Sequence, residues 1–204
     1  MNGNKMKYIR SIRSRQKGFT LIESLAAMVA LLMITAALFW ILLTGKTYWQ
    51  ASVIRSYGRQ ELQISINKIE SELQNSNVGT ITNNTAGLPV AFSFLSADDT
   101  DGKFTVASDG SPVWQKYVVY YIPNGTKKLM KRDIYGSFKT PLTQSQLITY
   151  CDGTGTVVAN TIAGLTLVAD TASNTAVITL TSQNKNQHGK ADQQTLSTNV
   201  YMRN

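Results

Sequence analysis

Between residues 19 and 43 the chain runs for 25 residues with one ionisable side chain, Glu23, and with neither proline nor glycine. Leucine, alanine, methionine and isoleucine dominate, and these are good helix formers. As a helix the run is about 37 Å long at about 1.5 Å per residue, enough to cross a bilayer core of about 30 Å. It is apolar on every side, as a helix surrounded by lipid must be. Any fold for this chain has to give that element an apolar surrounding, and has to account for a carboxylate near its start.

The flank sets the orientation. Residues 1–17 carry Lys5, Lys7, Arg10, Arg13, Arg15 and Lys17 and no acid. That excess ahead of a single span puts the N-terminus in the cytoplasm and the C-terminal bulk outside. A formal charge of +8 would otherwise suggest nucleic acid or a membrane surface as partner. Without the six flanking cations, 14 basic residues face 12 acidic ones, so the basicity is mostly a topology signal.

Three readings of this N-terminus compete. A cleaved secretory signal has an apolar core of about 7 to 15 residues followed by a small-x-small site. Here the core is longer, and "LTGKTYWQ" follows it. An uncut anchor explains the span but leaves Gly18 and Glu23 without a purpose. The third reading uses every residue: Lys17-Gly18-Phe19-Thr20-Leu21-Ile22-Glu23 resembles the cleavage and methylation site of type IV prepilins.

The resemblance implies that a prepilin peptidase cuts between Gly18 and Phe19 and that the new amine of Phe19 is N-methylated. It implies that Glu23 serves assembly, its carboxylate neutralising the terminal amine of a neighbouring subunit. An amine and a carboxylate buried together cost less than either alone. Implied partners are the major pilin, other minor pilins or pseudopilins, an inner-membrane assembly platform and membrane lipid. The implied location is the inner membrane, single-pass, and then a surface or periplasmic filament. No cofactor is implied.

Beyond the span, Leu62, Ile66, Ile69 and Leu73 recur at spacings of four, three and four, one apolar face on an otherwise polar helix. Gly45 and Gly58 are candidate soft points in it. "NSNVGTITNNTAGLP" (75–89) ends the helix with turn chemistry. Strands are expected at 90–95, 103–107 and 114–123, with a tight Asn124-Gly125 turn returning through 128–135. A second hairpin joins 164–170 to 175–182, residues 181–195 read as a polar loop, and 196–203 closes the chain. The many Thr, Ser and Asn residues of the later strands suit a sheet with one wet face.

The expected fold class is therefore α+β, a long N-terminal spine helix, its first half transmembrane, packed on a C-terminal antiparallel sheet. This is the layout of the pilin superfamily. Its expected divisions are a leader (1–18), a transmembrane half-helix (19–44), an extramembrane half-helix (45–75) and a β-rich domain (76–204). "VVYYIPNGTKKLMKRDI", "VVANTIAGLTLV" and the ending "LSTNVYMRN" resemble the minor pilins called PilW and the type II secretion pseudopilin J. Many major pilins close a C-terminal loop with a disulfide, whereas this chain has one cysteine, Cys151. That favours a minor subunit, at the start or tip of a filament; the alternatives are a secretion pseudopilin and a tip adhesin or DNA-uptake subunit.

Other chemistry reads weakly. His188 is the one histidine and lies in the polar loop, so no nucleophile–base pair is legible and no enzyme is expected. Asp98, Asp99 and Asp101 precede Gly102 without the ligand spacing of a calcium loop, which reads as a charged turn. Lys127, Lys128, Lys131 and Arg132 crowd a hairpin near Tyr120, Tyr121 and Tyr135, a mixture that can bind DNA. Strand alternation splits those cations between two faces. Glu61, Glu70 and Glu72 read as a solvated helix face.

The cleavage reading is checked by mass spectrometry of the protein from cells with active peptidase. The expected mature N-terminus is methylated Phe19, and Gly18→Val should block the cut. A mature chain still beginning at Met1 contradicts the reading.

Overall fold

The computed structural model describes residues 20–85, 87, 89–185 and 191–202. Helix α1 (Leu21–Leu73) is continuous through Gly45 and Gly58. The chain divides into two compact units, and the division falls within α1, between Tyr48 and Trp49.

In the first unit the helix has no protein partner among the described residues. Leu21, Ile22, Leu25, Met28, Leu31, Leu32, Met33, Ile41 and Leu42 are all more than 60 % exposed, which in water would be unsustainable. An all-round apolar surface of this kind fits lipid or other apolar helices.

In the second unit α1 packs on β-structure. Gly58, Leu62, Ser65, Ile66, Ile69 and Leu73 form its buried stripe. After α1 come strand β1 (Thr82–Asn84), β2 (Val90–Ser96), β3 (Lys116–Ile122), β4 (Leu129–Tyr135), helix α2 (Gln144–Thr149) and β5 (Thr156–Ala159). Strands β6 (Ile162–Asp170), β7 (Thr175–Lys185) and β8 (Ala191–Tyr201) follow. All pairings are antiparallel, in a five-stranded sheet ordered β1-β2-β3-β4-β5 and a three-stranded sheet ordered β6-β7-β8. The α+β class with a spine helix on antiparallel sheet is thus what the chain adopts, with two sheets where one was expected.

Both sheets turn a face to the α1 stripe. Phe92, Phe94, Val118, Tyr120 and Ile122 from one sheet and Leu165, Leu167, Ile178, Leu180 and Val200 from the other share a core with Leu62, Ile66, Ile69 and Leu73. The opposite face of the five-stranded sheet carries a second core, where Ala91, Leu95, Tyr117, Val119, Tyr121 and Met130 meet Leu142 and Leu147. Strands β2 and β3 are therefore covered on both sides, which is why their sequences are apolar at nearly every position. Strands β6 to β8 have one covered face, and their burial alternates. Gly58 is not a soft point but a point of close approach. A Cβ there would stand 3.0 Å from Asn184 Nδ2 and 3.3 Å from Ser182 Oγ on β7.

Several expected boundaries shift. Residues 103–107 form no strand, only isolated bridges from Asp98 to Phe104 and from Val106 to Pro112. Turns held by Asp99 and Asp109 side chains fold that segment back on itself instead. The expected Asn124-Gly125 turn forms, but the β3–β4 connection around it runs from residue 123 to 128. Thr126 N–H donates to Pro123 O at 3.1 Å, with Gly125 at φ 71° in the third position. The expected polar loop at 181–195 is largely strand: β7 runs on to Lys185 and β8 starts at Ala191. Cross-strand hydroxyl pairs such as Thr181 with Thr195 (3.1 Å) continue the ladder.

The α1 stripe makes a stability prediction. Ile69 is fully buried and Ile64, five residues earlier, is 54 % exposed. Ile69→Ala should cost about 2–5 kcal/mol through lost burial and a residual cavity. Ile64→Ala should stay within about 0.5 kcal/mol. Denaturant unfolding of the full chain in detergent reads both, and equal losses would place the stripe wrongly.

Candidate functional site

The helix start is built by two side chains. Thr20 stands just before α1, and Glu23 occupies the third position inside it. Glu23 Oε2 accepts from Thr20 N–H at 2.9 Å and from Thr20 Oγ1–H at 2.9 Å, while Thr20 Oγ1 accepts from Glu23 N–H at 3.3 Å. This is a capping box, in which two otherwise orphaned backbone N–H donors are each satisfied by the other residue's side chain. The negative charge also sits at the positive end of the helix dipole. Gly18 and Phe19, the expected cleavage and methylation positions, lie outside the described residues.

The sequence reading gave Glu23 to an amine of another subunit and missed its local role. The signal was present as Thr20-x-x-Glu23 ahead of an apolar run. The role matters more here than on a soluble helix, since an unpaired N–H in hydrocarbon costs several kcal/mol.

Every hydroxyl described along the apolar stretch is satisfied within its own helix. Ser24 donates to Thr20 O at 3.4 Å, Thr35 to Leu31 O at 3.0 Å and Leu32 O at 2.9 Å, and Thr44 to Trp40 O at 2.9 Å. Such back-bonding lets a polar residue face lipid without an unpaired group. Past the apolar stretch come Lys46, Tyr48 and Trp49, the two aromatics more than 70 % exposed. Aromatic rings of this kind are favoured where hydrocarbon meets water.

Compared with known families, residues 13–39 match the family model described as the prokaryotic N-terminal methylation motif. That match gives the chain a type IV pilin-like N-terminus. The motif implies processing by prepilin peptidase, a membrane-anchored subunit and assembly with other pilins, and proteins that bear it are structural. No curated protein and no solved structure matches the chain.

The other sequence-predicted groups serve the fold. Two acids of α1 are not a solvated face but clasps between helix and sheets. Glu61 Oε2 accepts from Thr161 Oγ1–H at 2.5 Å and Oε1 from Asn160 N–H at 3.3 Å. Glu72 Oε1 lies 2.6 Å from Lys131 Nζ, and Oε2 accepts from Tyr120 O–H at 2.9 Å. A helical pattern alone could not show this, because the partners are 48 or more residues away in sequence.

These contacts also dismantle the basic hairpin. Lys131 pairs with Glu72 and with Asp133 (3.1 Å), Arg132 pairs with Asp152 (2.7 Å), and Lys127 Nζ reaches Gln183 O at 3.4 Å. Asp152 is held at about 2 by hydrogen bonds from the Thr154 hydroxyl and amide and then from Arg132. Three of the four cations suited to a DNA backbone are thus already engaged within the fold. In the acidic turn, Asp99 Oδ1 accepts from the amides of Asp101 and Lys103, both at 2.9 Å. No group of three ligating side chains that could hold a metal occurs among the described residues. Cys151 is half-buried and donates to Leu147 O at 3.2 Å, and burial pushes its thiol up to about 11. His188 lies outside the described residues.

The Glu72 clasp predicts an alkaline limit. Burial, then the Glu72 charge and hydrogen bond, raise the Tyr120 phenol well above its ordinary 10.0. For Lys131 burial pulls downward, but the bond to Glu72 and the charges of Glu72 and Asp133 outweigh it, and the net is above 10.5. Both groups hold their protons more tightly folded than unfolded. Their contribution is complete below the unfolded values and is lost as pH rises through the folded ones. The melting temperature of the full chain in detergent should therefore fall above about pH 10. Tyr120→Phe should flatten that fall and cost about 1 kcal/mol at neutral pH.

Proposed function

We propose that this type IV pilin-like chain is a minor pilin or pseudopilin that acts in filament initiation or at the filament tip. Residues 1–18 are its leader, 19–44 the membrane half of the spine, 45–75 the extramembrane half and 76–204 the surface domain. The observation that carries the reading is the helix start. A capped helix opens at the motif's acid, and apolar side chains exposed all round the helix follow it. A helix with no partner among the described residues of its own chain acquires partners by assembly.

In this reading prepilin peptidase cuts between Gly18 and Phe19 and the amine of Phe19 is methylated. In lipid the Glu23 carboxylate is held by Thr20. In the filament, where helices pack and water is scarcer, the same carboxylate has a second oxygen to offer a neighbour's amine and so sets the axial register of docking. The single cysteine favours a minor over a major subunit. The type II secretion role uses the same parts. A DNA-receptor role is disfavoured by the paired state of Lys131 and Arg132.

Glu23→Gln and Glu23→Val separate the two tasks of this residue. Glutamine can still accept from Thr20 N–H at the third helical position, whereas valine cannot. Cleavage and membrane insertion should survive both changes. If the charge sets docking, incorporation into sheared filaments should fall by about tenfold or more in both, the scale of stripping one partner from a buried ion pair. Immunoblots of membrane and filament fractions decide it. Normal incorporation of Glu23→Gln would sink the charge-pairing role and leave capping alone.

A further inference from the structure

Four strands end the two sheets, and three of those edges are short or covered. Strand β1 has three residues and β5 four. Strand β6 lies against β2 and β3, and its Leu167 carbonyl accepts from Asn83 Nδ2 at 2.9 Å. The exception is β8, eleven residues long, hydrogen-bonded to β7 in an unbroken register from Ala191 to Tyr201. Among the described residues no other strand pairs with it.

An edge strand presents a row of unpaired N–H and C=O groups, and soluble domains usually guard such rows with proline, lysine, a bulge or brevity. Strand β8 has no proline, lysine or arginine. Its one charge, Asp192, lies at the start and is tied to Arg55 at 3.1 Å. From Gln193 to Tyr201 no guarding residue lies on the strand among the described residues. Beside it runs a groove of about 430 Å³ between α1 and β8, lined by Arg59, Leu62, Gln63, Gln194, Thr195 and Leu196. Within that lining Gln194 Oε1 is buried without a hydrogen-bond partner among the described residues.

From this edge and groove we propose that β8 is a strand-addition site for an extended segment of a different filament protein. The inference rests on the reading of the chain as a filament subunit. The incoming segment continues the sheet beyond β8 through main-chain hydrogen bonds, which are indifferent to sequence. Its alternate side chains on the groove side are apolar, to meet the half-buried Leu196, with an acid placed to reach Arg59. It carries little positive charge.

A second copy of this chain is the wrong occupant. Antiparallel addition of β8 to β8 relates the copies by a two-fold axis normal to the sheet. That axis reverses every direction in the sheet plane, including that of α1, which lies on the sheet face through Leu62, Ile66, Ile69 and Leu73. Two subunits anchored in one membrane need α1 pointing the same way. Parallel addition keeps the direction but leaves the two α1 helices on opposite faces of the joined sheet, where they cannot share a bundle.

The test uses the full chain, held in detergent and recovered in sheared filaments. Alternate amides of residues 193–201 should exchange at least tenfold more slowly in the filament, while those of β1 keep their rate. Gln193→Lys with Asn199→Lys puts two guarding charges on exposed β8 positions. It should leave cleavage and melting temperature intact and cut incorporation severalfold. The same two charges on β6, Thr166→Lys with Val168→Lys, should not. Unchanged β8 exchange in filaments that contain the chain, or full incorporation of the β8 pair, overturns the site and leaves the subunit reading standing. Absence of the native chain from filaments overturns both. A disulfide-linked homodimer from Ser197→Cys with Cys151→Ser overturns the choice of partner.

Discussion

The backbone of α1 must remain hydrogen-bonded in surroundings that offer it nothing. Along the interior of the helix the intrahelical ladder does this, and the exposed hydroxyls of Ser24, Thr35 and Thr44 bond back into it. At the first turn the ladder has no partner to give, and Thr20 with Glu23 supplies one. A charge that looks costly at lipid depth is therefore part of how the helix begins. The local bonds of Glu23 use one oxygen, Oε2, which leaves the other for the docking role proposed above.

From Trp49 onward the problem changes, because burial now comes from the protein's own sheets. The stripe from Gly58 to Leu73 supplies apolar contact, and Glu61 and Glu72 add polar contacts on either flank. The sheets differ accordingly. The five-stranded sheet is sandwiched between α1 and the α2 region, whereas the three-stranded sheet keeps one face and one long edge open.

How much of this was legible in the sequence follows from the range of each interaction. The span, its capping pair and the stripe of Leu62, Ile66, Ile69 and Leu73 are local patterns, readable from spacing alone. Strands β2, β3, β6 and β7 were visible because doubly or singly covered strands leave runs or alternation of apolar residues. Strand β8 was half missed, since its ladder is made of Thr, Ser, Asn and Gln, whose side chains look like a loop until β7 is alongside. Helix α2 was missed although Thr143 and Gln146 form a capping box, because six residues are too few to show a helical period. The roles of Glu61 and Glu72 were invisible because the partner of an acid on a helix face is chosen by the fold, not by the helix.

The way α1 is fastened to the sheets also decides how the domain carries load. A pull along the helix axis, from a membrane or from a growing fibre, does not peel the stripe one residue at a time. It shears Gly58, Leu62, Ile66, Ile69 and Leu73 together, with the Glu61 and Glu72 clasps strained in the same instant. Contacts loaded in parallel share the force, so slippage requires all of them to fail at once. Gly58 adds a steric catch, since the next residue to slide into its place would bring a side chain against Ser182 and Asn184. The joint between α1 and the sheets is thus stiff along the helix axis.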